Sequence, residues 1–250
     1  MNYYTELGVK GFCFRAFPDN AVVANMVKSC GLDRIDLSGP QLDFRNPSLH
    51  APAIRAYAEA GVKIVGIGVV GLSGGVDDEE LFRFCRSAGC RTISINGEPG
   101  TFYEALKQAE AWAGKYDMRL AIHNHGGNHW LGNSQMLRHV LSRCGERVGI
   151  CLDTAWCLQA SENPMEWLDI FAGRVHAVHF KDFVFDRRGG HRDAVIGDGA
   201  LDLPAFVERL RSREFDGPAV IEYEGDVNDP VPALCQCVAR MRNLSLKGAH

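Results

Sequence analysis

Residues 148–182 read VGICLDTAWCLQASENPMEWLDIFAGRVHAVHFKD. Two short apolar runs, Val148–Asp153 and Val175–Phe180, flank a helix-period segment over Asn163–Phe171. The runs are apolar almost throughout, as in strands buried on both faces. Strand, helix, strand in this rhythm predicts a parallel pair with a crossover helix. The first run ends on an acid, Asp153, and the second carries His179 near its end.

The same rhythm extends in both directions. Val9–Cys13, Arg34–Leu37, Lys63–Gly68, Thr92–Asn96, Arg119–His123 and Val220–Glu224 complete a set of eight predicted strands. Helix-period segments cover Asn20–Cys30, Asp77–Ala88, Thr101–Tyr116, Ser134–Arg143, Pro204–Arg211 and Pro230–Asn243. Asp19 or Asn20 is a plausible start for the first, and Asp77–Ala88 opens on an acidic turn that suits a helix N-terminus. Thr101 with Glu104 forms a capping-box pattern. Eight strands alternating with helices predict a closed (β/α)8 TIM barrel of parallel strands. An open doubly wound sheet would carry a glycine-rich phosphate turn after its first strand. Here that strand runs into FCFRAFPDN, while GLSGG at 71–75 follows the third strand and reads as an active-site loop.

The chain has 250 residues, the usual length of one such barrel, and no linker composition divides it, so residues 1–250 are expected to form one domain. Net charge is −4, with acids and bases interspersed and no basic run, which argues against a nucleic-acid partner. RLRSR at 209–213 reads as a solvated helix face. Nine cysteines, an odd number without zinc-finger spacing, suggest packed thiols in a reducing cytoplasm. No apolar run is long enough to span a membrane, and Met1–Lys10 lacks the form of a signal peptide. Leu246–His250 reads as a frayed tail.

His123, Asp153, His179 and Glu222 fall at the ends of the last four predicted strands. Strand ends of a parallel barrel converge on one mouth. Two imidazoles and two carboxylates there make an N/O set suited to a borderline or hard divalent cation. Taken singly, each has a plain alternative: a core histidine, a hydrogen-bonded loop histidine, or, for Asp153, a helix N-cap. A cation explains all four together, because an isolated carboxylate is costly inside an apolar barrel.

Other groups join the list of candidates. His125 shares parity with His123, so both could reach the mouth, one as ligand and the other as a substrate contact or catalytic group; a pair of hydrogen-bonded loop histidines is the alternative. Gly126-Gly127 favours a tight turn. His176 has opposite parity to His179 and should face the helices or the bottom of its strand. Glu224 shares parity with Glu222. Lys181 either steadies a substrate oxygen or is a surface lysine pairing with Asp182. Trp156 offers a face for a sugar or simply caps the barrel. Asn96, Glu98 and Asp36 are expected at the same mouth. The glycine-turn loop at 196–202 should end in a helix cap with its backbone near the site.

Four pieces, Leu152-Asp153-Thr154, Val178-His179-Phe180-Lys181-Asp182, Gly197-Asp198-Gly199 with Asp202, and Ile221-Glu222-Tyr223-Glu224, resemble the sugar phosphate isomerase/epimerase superfamily of xylose isomerase-like TIM barrels. The resemblance covers nearly the whole chain. It implies one divalent ion (manganese, cobalt, magnesium or zinc) held by His123, Asp153, His179 and Glu222. It also implies a metal-dependent isomerase or epimerase acting on a keto-sugar, sugar phosphate or cyclitol. In that reading Glu222, His125 and Lys181 are the catalytic candidates, and Asn96, Glu98 and Trp156 the substrate contacts. Many epimerases of the superfamily have glutamate where His123 stands, and the His-x-His-Gly form looks more like the inosose dehydratase branch. Trp156 stands where the family often has histidine. A dehydratase is therefore the alternative. A nuclease of the apurinic type is disfavoured by charge and by the single-metal donor set, and a barrel without catalysis is a third reading. A homo-oligomer is left open.

Overall fold

A computed structural model describes residues 6–126, 129–213 and 215–247. Gly127 of the expected tight turn, and residues 248–250 of the expected tail, lie outside these. The strands are β1 (Gly8–Lys10), β2 (Arg34–Leu37), β3 (Lys63–Gly71), β4 (Thr92–Asn96), β5 (Arg119–His123), β6 (Val148–Asp153), β7 (Val175–Phe180), β8 (Asp182–Phe185), β9 (His191–Ala194) and β10 (Ala219–Ile221). The helices are α1 (Asn20–Ser29), α2 (His50–Glu59), α3 (Glu79–Ala88), α4 (Phe102–Tyr116), α5 (Ser134–Leu141), α6 (Thr154–Gln159), α7 (Pro164–Ile170), α8 (Leu203–Arg211) and α9 (Val231–Lys247). Eight parallel strands close in the order β1-β2-β3-β4-β5-β6-β7-β10, so the chain forms a (β/α)8 barrel. Closure is made by Gly8 opposite Val220 and Val9 opposite Ile221.

Five strands span the residues expected of them; the first, third and last do not. β1 stops at Lys10 because Gly11–Phe14 wind into a 3-10 turn. β3 runs on to Gly71, and β10 ends at Ile221, so Glu222 lies one residue past the ladder. α2 was not foreseen. The Asn46-Pro47 start that precedes it, in which the Asn46 side chain accepts from Ser48 N, is its local signal. Nor was the antiparallel β8–β9 hairpin, which leaves the end of β7. Asp19 caps α1 through Ala21 N and Val22 N, and Asp202 caps α8 through Ala205 N. Thr101 precedes α4 but makes no side-chain cap bond, so the capping box is not realised.

Small residues make room for the site. Ala121, Cys151 and Ala177 form a buried cluster of their own on neighbouring strands β5, β6 and β7. Each lies two residues before His123, Asp153 or His179, on the same face of its strand. The larger apolar side chains, such as Leu120, Ile122, Ile150, Leu152 and Val178, belong to the main core. Gly149 shows how closely β6 and β7 approach: a β-carbon there would lie 2.2 Å from the Arg174 carbonyl oxygen and 2.7 Å from the His176 ring. Gly149→Ala is expected to destabilise the fold by about 1–3 kcal/mol, read as a lower urea midpoint at unchanged slope.

All nine cysteines are free thiols. Among the described residues no helix is long and apolar enough to cross a membrane.

Candidate functional site

His123 ends β5, Asp153 ends β6, His179 is the penultimate residue of β7, and Glu222 follows β10. All four are buried, and one donor atom from each lies within 4.8 Å of the others. His123 Nε2 is 3.6 Å from Asp153 Oδ2, and His179 Nδ1 is 2.7 Å from Glu222 Oε2. The latter approach is short but lacks hydrogen-bond geometry. Leaving aside His179 Nδ1 and Glu222 Oε2, which face each other as an ion pair, four buried atoms of these side chains have no partner among the described residues: both ring nitrogens of His123, His179 Nε2 and Asp153 Oδ2. Each such orphan costs about 1–3 kcal/mol if left unsatisfied. A divalent cation accepts lone pairs from both imidazoles and both carboxylates, so this donor set fits one. Cys151 Sγ also lies near His123 and His179, a neighbour the sequence reading did not include.

Asp153 was expected to be either an N-cap or a ligand. Its two oxygens divide these tasks. Oδ1 accepts from Trp156 N at 2.9 Å and caps α6, while Oδ2 faces the cluster.

The charges are strongly coupled. Burial pushes the Asp153 carboxyl up to about 6, against the pull of Lys181. Burial works against ionised Glu222 as well, but Lys181 and His179 prevail and hold it well below the usual carboxylate range. Burial opposes protonation of His179; Cys151 and Glu222 overcome it and raise the imidazole well above its ordinary value. Burial, with His179 beside it, holds His123 well below its own.

Side-chain staples replace ladder bonds where the strands end. Asn124, fully buried, donates through Nδ2 to Asp153 O at 3.0 Å and accepts Asp153 N at 2.8 Å. Thr154 Oγ1 donates to Lys181 O at 2.6 Å and accepts Lys181 N at 3.0 Å. Cys13 Sγ accepts from Tyr223 N at 3.3 Å, just beyond Glu222. Sequence reasoning missed all three. Asn124 and Thr154 directly follow His123 and Asp153, and polar residues one step past a strand-end ligand are the signal that was available. Asn124→Ala should remove both bonds that tie the ends of β5 and β6. The expected loss is about 2–3 kcal/mol of stability, measured by chemical denaturation.

Lys181 is only 1 % exposed and does not pair with Asp182, which corrects the surface-lysine alternative. Its ammonium contacts the Glu224 carboxylate, stands 3.7 Å from Glu222 Oε1, and lies 5.3 Å from the Trp156 ring centre. Burial disfavours its charge, but Glu222, Asp153 and Glu224 more than compensate and raise its pKa. Asp182 instead accepts backbone N–H groups from Phe183, Gly197, Gly199 and Leu201, and so organises the 196–202 loop. Trp156 packs edge-on against Phe183 and His191 of the β8–β9 hairpin, at 5.0 and 5.2 Å between ring centres.

The remaining candidates spread out. Asp36 does not line an open mouth. It is buried inside the barrel against Lys10, whose ammonium also donates to Gly68 O. Asn96 and Glu98 lie outside the four-residue cluster, in a depression of about 320 Å³ shared with Arg45, Ser73 and His129. His125 links the two regions. Its ring centre is 4.6 Å from that of His123 and 4.7 Å from that of His129. Burial, with His123 next, lowers its pKa to about 3, so it is neutral at physiological pH. His176 packs low on β7, with Nδ1 3.0 Å from Leu120 O.

The sequence pattern of the xylose isomerase-like TIM barrel family matches residues 26–243, and the chain belongs to that family. It is 35 % identical over 81 residues, 30 % of each chain, to a 3-oxo-isoapionate decarboxylase of Pectobacterium atrosepticum. The matches span less than half the length of the curated relatives. Among solved structures it resembles the 3-keto-D-glucoside 4-epimerase of E. coli, with a TM-score of 0.74 and 18 % identity, covering 96 % of this chain and 99 % of the other. It also resembles a xylose isomerase-like barrel protein of Mycobacterium smegmatis in complex with magnesium, with a TM-score of 0.77 and 13 % identity, covering 96 % of each. At these identities the structural likeness speaks for the fold alone.

Proposed function

We propose that this chain is a divalent-metal-dependent isomerase or epimerase that removes a proton next to the carbonyl of a keto-sugar, sugar phosphate or cyclitol. The observation that carries the reading is the buried cluster of two imidazoles and two carboxylates, in which both His123 nitrogens, His179 Nε2 and Asp153 Oδ2 have no partner among the described residues. His123, Asp153, His179 and Glu222 would hold the ion. Bound there, it would polarise the substrate carbonyl and stabilise negative charge on its oxygen. The name of the curated relative, a 3-oxo-isoapionate decarboxylase, specifies an oxo substrate, the electrophile that this chemistry needs.

The chain's own groups then divide the work. Glu222 keeps the most exposure of the four, at 6 %, and is the carboxylate best placed to take the substrate proton. Lys181, held protonated by its carboxylate neighbours, supplies a fixed positive charge and donor beside Glu222. Neutral His125 at the edge of the cluster can hydrogen-bond a substrate oxygen there. Trp156, in its aromatic wall, offers the flat apolar surface that a sugar ring covers. Asn96 and Glu98 would meet hydroxyls at the more distant end of the substrate.

Dehydration is the second reading. It is favoured by the imidazole at position 123, which leaves Glu222 as the carboxylate available as base, and by Lys181 and His125, which could assist a departing hydroxyl.

Incubating the metal-loaded chain with keto-sugars and inososes in deuterated water tests the shared step. Deuterium should enter the substrate at the carbon next to the carbonyl, and chelator should abolish its entry. Turnover without solvent label, or turnover undiminished in chelator, would overturn the proposal. Product analysis separates epimer from dehydrated product.

A further inference from the structure

The opposite end of the barrel carries a second polar cavity, of about 930 Å³, which the proposed reaction does not use. β5 places Arg119 at its first residue and His123 at its last, so the two ends are separated by roughly 13 Å of strand. Arg119, Arg147, Arg174 and Arg213 all line this lower cavity, together with His176 and Asp216. They come from the starts of three strands and from the segment after α8.

The arginines outnumber the acids that hold them. Asp216 takes Arg119 end-on through both oxygens, at 2.5 and 3.0 Å. Asp117 is shared between Arg147 and Arg91, and Asp169 between Arg213 and Arg209. Arg174 has no carboxylate partner among the described residues. Its Nε donates to Val148 O at 2.7 Å and its Nη2 to Gly145 O at 2.9 Å, which fixes the guanidinium without neutralising it. Glu146 also lines the cavity. The lining itself carries four guanidiniums, Arg119, Arg147, Arg174 and Arg213, against two carboxylates, Glu146 and Asp216, on a chain whose net charge is −4. A half-buried guanidinium held by carbonyls and lacking a counter-ion, within a cavity lined by other tethered guanidiniums, is preorganised for a multivalent anion.

We infer that this lower cavity is a binding site for the phosphate group of a small molecule, separate from the barrel mouth. Planar guanidinium forks suit phosphate oxygens. His176 gives the anion no donor: its Nδ1–H is engaged by Leu120 O, and burial lowers its pKa to about 4, so Nε2 presents a lone pair and the guanidiniums carry the recognition. The inference does not depend on the reaction proposed for the mouth.

The test is calorimetric titration of the full chain with pyrophosphate, inorganic phosphate and a sugar monophosphate at constant ionic strength. It is run with and without chelator, and repeated with His179→Ala. Saturable binding of at least one of these anions is expected, unchanged by chelator and by His179→Ala, because the mouth is not involved. The ligand that binds most tightly distinguishes an inorganic from an esterified source. The double variant Arg147→Gln, Arg213→Gln should bind at least roughly tenfold more weakly, the cost of losing charge-assisted bonds. Both side chains are partly exposed, and Asp117 and Asp169 each keep a second arginine, so the fold should survive. Arg174→Lys is the second probe. It keeps the charge, loses the fork, and should weaken binding with the melting temperature of the free chain as control. Absence of saturable binding, binding lost with chelator or in His179→Ala, or binding unchanged in the double variant would each overturn the inference.

Discussion

On the proposed function, Asp153→Asn is expected to lose the ion and most of the turnover while leaving the barrel folded. The reason lies in the separate tasks of its two oxygens. The amide keeps an oxygen that can accept from Trp156 N and cap α6, but it removes the negative charge that Oδ2 directs at His123 and the cluster. Proton abstraction without charge stabilisation at the developing oxyanion should slow by roughly 10²–10³-fold or more. Metal content after gel filtration and the rate of deuterium exchange measure the two effects. Asp153→Ala should show the same losses and a further ~1 kcal/mol of destabilisation from the missing cap. An Asp153→Asn protein that binds one equivalent of metal with wild-type affinity and turns over normally would remove Asp153 from the site.

The second large effect is expected in stability. Binding an ion at one hundred times its Kd should add about 2.7 kcal/mol. For a chain of this size that is roughly 5–10 °C in melting temperature. The pH dependence has a definite sign. Burial raises the Asp153 carboxyl to about 6 in the metal-free fold. Its contribution to metal-free stability is therefore full below the ordinary carboxylate pKa and lost as pH rises through about 6. A bound cation must displace that proton, and the raised His179 must give up its own before its nitrogen can coordinate. Metal affinity should thus climb as pH rises through about 6 and go on climbing as the raised His179 loses its proton, with protons released on binding. Calorimetry in buffers of different ionisation enthalpy counts those protons. A melting temperature that metal leaves unchanged at neutral pH would count against the ion site.

Much of the frame is local and was legible in sequence. β2, β4, β5, β6 and β7 coincide with apolar runs whose ends are marked by turn and charged residues, and local pattern is enough to place such strands. The convergence of His123, Asp153, His179 and Glu222 also followed from sequence once a parallel barrel was inferred, because barrel topology carries all strand ends to one rim. The misjudged strand ends have non-local causes. β1 gives way to a 3-10 turn that brings Cys13 against Tyr223, over two hundred positions away in the chain. No periodicity within either segment encodes that contact.

Residue type and short-range order were enough for the alternation of strand and helix, for the barrel, and for the four side chains that could meet at its mouth. Tertiary structure alone decided how polar groups pair. It set Lys181 against Glu224 and beside Glu222 instead of against Asp182, and it set Asp36 against Lys10 inside the barrel. It also let Asp153 cap a helix and face the cluster at once. The arginines of the lower cavity are scattered between positions 119 and 213 and form no basic run. Closure of neighbouring strands gathers them, because charges interact through space and a linear pattern does not report distances across the fold.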